Sequence, residues 1–109
     1  MREAAVFFKG EKAGVLTQLD DSSFRFQYDP SWVTDDRKPS ISLTMPKKKE
    51  PYHSKFLFPF FFNKLPEGSN RQVVCKLNRI DKRDDFGLLL TTGGSDSIGA
   101  VTVRKIEEQ

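Results

Sequence analysis

The chain has 109 residues, 18 basic and 15 acidic side chains, and a formal net charge of +3. That length suits one domain with one modest core, and 37% apolar against 30% charged residues is the balance of a folded chain, not a disordered one. The mild positive excess permits a polyanionic partner without demanding one, and a single cysteine, Cys75, excludes an internal disulfide.

The opening Met1-Arg2-Glu3-Ala4-Ala5-Val6-Phe7-Phe8-Lys9-Gly10 lacks the apolar length and small-residue cleavage site of a secretory signal. No stretch approaches the ~20 apolar residues of a membrane span. The expected location is cytoplasmic, with no membrane partner. Residues 5–9 predict a first strand and Gly10-Glu11 a turn. Residues 13–19 predict a second strand, closed by the polar turn Asp20-Asp21-Ser22-Ser23. Phe24, Phe26 and Tyr28 alternate with Arg25 and Gln27, the period of a half-buried strand. The three make a meander.

Asp29-Pro30-Ser31-Trp32 ends it as a turn, and residues 34–38 read as a loop. Ile41, Leu43 and Met45 alternate with Ser42 and Thr44, which predicts a fourth strand stopped by Pro46. Lys47-Lys48-Lys49-Glu50-Pro51 follows as an exposed linker. A short helix is expected from Pro59, which fits a first turn, to Leu65. Ser69 and Gln72 have the spacing of a capping box. They start a helix over 70–78 that places Val73, Val74, Leu77 and Ile80 on one face. A third helix is expected over 84–90, ended by Gly93-Gly94. Ile98, Val101 and Val103 then form a closing strand.

The motifs that suggest chemistry are weak. Asp85-Phe86-Gly87 spells a kinase metal-binding signature, but the phosphate loop, strand lysine and catalytic loop that it needs are missing. Phe86 is better read as a core anchor behind acids at a helix start. Gly93-Gly94-Ser95-Asp96-Ser97 lacks the Lys-Ser/Thr of a P-loop and reads as a tight turn. His53 has no neighbouring Cys or His and reads as an exposed loop residue; Cys75 reads as a half-buried helix residue. Arg71, Lys76, Arg79, Lys82 and Arg83, with the Lys47-Lys48-Lys49 cluster, could neutralise phosphates, but they equally solvate a surface. The run Phe56-Leu57-Phe58-Pro59-Phe60-Phe61-Phe62 cannot face one core throughout. It should bury two or three rings and leave one or two at the surface, where an apolar patch marks a partner.

Several segments in order carry a family resemblance: Gly14-Val15-Leu16, Phe24-Arg25-Phe26-Gln27-Tyr28 leading into Pro30-Ser31-Trp32, and Pro39-Ser40-Ile41-Ser42-Leu43-Thr44-Met45-Pro46. Phe60-Phe61-Phe62-Asn63-Lys64-Leu65-Pro66-Glu67-Gly68, Asp85-Phe86-Gly87-Leu88-Leu89 and Asp96-Ser97-Ile98-Gly99-Ala100-Val101 follow. Together they resemble the N-terminal subdomain of HipA-type serine/threonine kinases, over about residues 4–104. In the long toxins this subdomain runs on into the kinase core, whereas here the sequence stops at Gln109. The chain is therefore similar to the small separate HipS protein of three-gene, HipBST-type bacterial systems, which supplies the subdomain in trans. That resemblance implies an antitoxin that binds and inhibits a HipA- or HipT-like kinase, with a HipB-like helix-turn-helix protein as a further partner.

The expected fold is α+β: an antiparallel sheet, with closure toward a barrel as an alternative, and two or three short helices packed on it. Residues 1–109 form one domain. No catalytic, cofactor-binding or metal-binding residue is expected. The contact segment is Leu65, Pro66, Glu67, Gly68, Ser69, Asn70 and Arg71, a Pro- and Gly-containing connection between two helices. Two other readings stand beside this one: an activating or stabilising subunit of a split kinase, and a small nucleic-acid-binding module.

Overall fold

Lys9 and Gly10 both take positive φ, 49° and 83°, the conformation that a two-residue hairpin turn requires. They join strand β1 (Arg2–Phe8) to β2 (Glu11–Gln18). The computed structural model describes residues 1–93 and 100–106. In the Asp20–Ser23 turn, Asp21 Oδ1 accepts from Ser23 N at 3.0 Å and from its hydroxyl, and β3 (Phe24–Tyr28) follows. With β4 (Tyr52–Ser54) and β5 (Val101–Lys105) the sheet runs β4-β3-β2-β1-β5, antiparallel at every pairing. It is an open sheet with β4 and β5 as its edges, so the barrel alternative is set aside. Among the described residues four helices complete an α+β fold: α1 (Pro30–Thr34), α2 (Pro59–Phe62), α3 (Gly68–Asn78) and α4 (Asp85–Thr92).

Residues opposite one another across antiparallel strands share a face. Ala4, Leu16 and Phe26 form one such row, and Val103, Val6, Gly14 and Tyr28 another. Helices α2 and α4 cover this face. Phe61 of α2 packs on Phe26 at 5.8 Å between ring centroids, and Phe86 of α4 stacks on Phe24 at 6.2 Å. Phe26, Phe61, Phe86, Leu88 and Leu89 lose all contact with solvent. Trp32 of α1 closes the sheet's other end edge-on against Phe8.

The meander and the helices over 84–90 and 70–78 lie where the sequence places them, within two or three residues. Several expectations do not hold, among them the helix over 59–65, which ends at Phe62 where Asn63 and Lys64 continue only as turns. Pro30 opens helix α1 at its first position instead of merely ending a strand. Residues 41–45 are not a strand: Ile41 and Met45 are buried, but the chain folds back at a Ser42–Met45 bridge and throws Leu43 wholly into solvent. The fourth strand is instead Tyr52–Ser54, paired with Phe24–Phe26, so His53 sits exposed on an edge strand and not in a loop. Ser69 caps nothing: α3 begins two residues earlier than expected, at Gly68, with Glu67 at its N-cap and no side-chain cap bond. Of the closing strand, Ile98 lies outside the described residues, as does most of the Gly93-Gly94-Ser95-Asp96-Ser97 turn.

Lys47 is not part of an exposed linker either. Its ammonium donates to Trp32 O (3.2 Å), Asp35 O (2.8 Å) and Lys38 O (2.6 Å). A cation at the carbonyl end of α1 satisfies groups that the short helix leaves unpaired.

Candidate functional site

The connection from α2 to α3 begins from a fixed base. The aromatic run divides as its crowding requires: Leu57, Phe58 and Phe61 are buried, while Phe56 and Phe62 remain exposed. After α2 two tight turns, Lys64 N to Phe61 O (3.1 Å) and Leu65 N to Phe62 O (3.0 Å), carry the chain to a buried Leu65. Pro66 is half-buried, and Glu67, Gly68, Ser69 and Asn70 are exposed. Gly68 takes a φ of +58° with open space around it, which lets the chain turn sharply into α3. The middle of the segment therefore projects, as its composition suggests.

Arg71 behaves differently from its neighbours. Its side chain is only 19% exposed, and the guanidinium pairs with Asp85 Oδ1 at 2.5 Å. It also donates to Lys82 O at 2.6 and 3.1 Å. These bonds tie the start of α3 to the turn before α4, so Arg71 holds the segment in place and its fork is already filled.

Sequence periodicity misassigns the outer face of α3. Cys75 is the one residue of that helix that is buried, with Arg71 and Val74 half-buried. Val73 and Leu77, expected in the core, are 55% and 78% exposed. With Ser69 they stand at i, i+4 and i+8, one stripe along the helix. The stripe continues the exposed loop, so Glu67, Ser69, Asn70, Val73 and Leu77 form one mixed polar and apolar surface. The half-buried and buried positions Arg71, Val74 and Cys75 stand at i, i+3 and i+4, and this face, not that of Val73 and Leu77, meets the core.

The basic cluster is spread out. Arg79 closes α3 in the left-handed conformation at φ 55°, Arg83 faces Asp81 at 4.0 Å, and Lys47 and Arg71 are bound internally. Among the described residues no group of three or more His, Cys, Asp or Glu is placed to hold a metal ion. No helix among them is long and apolar enough to cross a membrane.

Asp85-Phe86-Gly87 serves the fold. Asp84, one residue before α4, accepts from Gly87 N at 3.0 Å and takes both arms of Arg2 of β1 at 2.7 and 3.0 Å. The Arg2 hydrogen bonds hold its carboxyl below the usual carboxylate range, against the opposing effect of burial. Arg2 also lies 5.1 Å above the Phe86 ring. A Cβ at Gly87 would collide with the Asp84 carboxylate, so the glycine is what lets the cap close.

The family model for the HipA N-terminal domain matches residues 4–104. An uncharacterized protein of Haemophilus influenzae is 35% identical over 105 residues, 96% of this chain and 93% of its own length. "Putative kinase Y4mE" of Sinorhizobium fredii is 33% identical over 101 residues, 93% of this chain but 24% of that protein. "Putative kinase Y4dM" of the same organism is 32% identical over 107 residues, 90% of this chain and 25% of its own. The chain thus spans about a quarter of the length of these two relatives. The solved N-terminal domain of HipA toxin superposes with a TM-score of 0.73 at 33% identity, covering 100% of this chain and 96% of that one. Matched in sequence over nearly its whole length and in structure over all of it, the chain belongs to the HipA N-terminal domain family.

Proposed function

We propose that this chain binds a HipA- or HipT-like serine/threonine kinase in the cytoplasm and restrains it, without catalysis of its own. The observation that carries the reading is the length relation: the same domain makes up about a quarter of two relatives named as kinases. A domain built into a longer chain keeps a surface by which it meets the remainder, and that surface can dock in trans. The loop Glu67–Asn70 with Val73 and Leu77 is the proposed contact, Leu65 and Pro66 its base, and Arg71 its internal brace. A mixed surface of this kind suits a partner interface with an apolar centre and a polar rim. A HipB-like helix-turn-helix protein can join the complex, with any DNA contacts its own. The same length relation favours one rival, a subunit that activates or stabilises the kinase.

Calorimetry with a HipT-like kinase that lacks this subdomain tests the contact. A Glu67→Arg, Asn70→Asp variant should keep the wild-type melting temperature and bind at least tenfold more weakly, about 1.4 kcal/mol. Equal affinity would move the contact elsewhere on the domain.

A further inference from the structure

Leu43 is 100% exposed. It stands on a turn that Met45 N closes by donating to Ser42 O at 3.1 Å. A leucine in that position contributes nothing to the core, yet the loop that carries it is tied on both sides. Trp32 Nε1 donates to Pro39 O at 2.8 Å, and Lys47 N to Ser40 Oγ at 2.9 Å. The buried Tyr28 hydroxyl accepts from Ile41 N at 3.0 Å and donates to Met45 O, bridging the two arms of the loop. At the tip, Thr44 N donates to Ser42 Oγ at 3.2 Å, and the two hydroxyls lie 2.9 Å apart. Ile41 and Met45 are buried on either side. An irregular loop is thus pinned by hydrogen bonds along both arms, with one apolar side chain at its apex.

A rigid backbone beneath an exposed apolar side chain lowers the ordering cost of association, and buried apolar anchors carry much of an interface's energy. We propose that Leu43 is a preorganised knob that seats in an apolar pocket of the kinase partner; the inference rests on the reading above. The occupant follows from the relatives. In the two Sinorhizobium proteins the matched segment is about a quarter of the chain and is joined to the remaining three quarters, and the family match over residues 4–104 includes the Leu43 loop. The remainder of the kinase is thus the body available to receive the knob.

The test measures binding to the same HipT-like kinase by calorimetry, with the chain's own association state followed by sedimentation. Leu43→Ala should leave the melting temperature unchanged and weaken kinase binding at least tenfold. Tyr28→Phe keeps the knob but frees its two arms. It should speed amide exchange at residues 41–45 and weaken binding to a smaller degree. If wild type binds and Leu43→Ala binds within twofold of it, the knob is wrong and the kinase reading stands. If Leu43→Ala changes only self-association, the occupant is a second copy and the proposal is overturned. If wild type does not bind, the kinase reading fails and the knob goes with it.

Discussion

Replacing Lys47 by Met removes a charge of the kind usually found at a solvated surface, yet it should be among the more damaging single changes to this fold. The ammonium makes hydrogen bonds of 2.6, 2.8 and 3.2 Å to three carbonyls that end α1 and begin the loop after it. Hydrogen bonds to a charged group contribute about 1.5–3 kcal/mol each, and three shared by one half-buried ammonium do not add fully. Water can reach some of the carbonyls once the ammonium is gone. The net loss should be about 2–3 kcal/mol, and at roughly 4 °C per kcal/mol for a domain near this size the melting temperature should fall by about 8–12 °C. Methionine keeps the length of the side chain, so lost packing contributes little. Lys49→Met is the control. Its backbone carbonyl accepts from Gln27 Nε2, which the substitution does not touch, and it should melt within about 2 °C of wild type. Calorimetric melting at neutral pH decides the matter. A Lys47→Met protein that melts with the control would return Lys47 to the solvated surface.

Other expectations follow from the α4 cap and the core. Phe86→Ala should cost ~3–5 kcal/mol in urea unfolding, because Phe86 is wholly buried against Phe24 and beneath Arg2. Gly87→Ala would help an ordinary helix, but here it should destabilise, since the new methyl displaces the capping carboxylate; a raised melting temperature would contradict this cap. Asp84 has a folded-state pKa below its unfolded value of about 3.9. Its contribution is therefore complete above about pH 5 and is lost as pH falls through the unfolded value towards the folded one. Unfolding curves of wild type and Asp84→Asn should differ at neutral pH and converge in acid; a difference that persists unchanged in acid would remove the Arg2 pairing as its cause.

The meander was legible because alternation at Phe24, Phe26 and Tyr28 and the turn residues around it are local signals. Leu43 shows where local signals fail. Ile41, Leu43 and Met45 have the period of a strand, and two of the three are buried, but long-range bonds from Tyr28 and Lys47 fold the segment into a loop. Nothing within residues 39–47 announces a hydroxyl donated from β3. Lys47 fails for the same reason: a lysine beside two others reads as solvent-facing until the carbonyls of Trp32, Asp35 and Lys38 converge on it. The α2–α3 segment was legible as an exposed connection because Pro66 and Gly68 punctuate it. Arg71 was not, because its partners Lys82 and Asp85 lie a helix away in sequence. The exposed stripe of Val73 and Leu77 was hidden by a periodicity that fits either side of α3 almost equally well.

Kinase activity as a function of added chain shows whether this domain restrains its partner. A purified HipT-like kinase that lacks this subdomain is titrated with the wild-type chain, and phosphoryl transfer to its substrate is followed. Activity should fall with dose and level off near one chain per kinase, and the Glu67→Arg, Asn70→Asp variant should need at least a tenfold higher dose. Activity that is unchanged at saturating chain, or that rises with dose, would contradict such restraint.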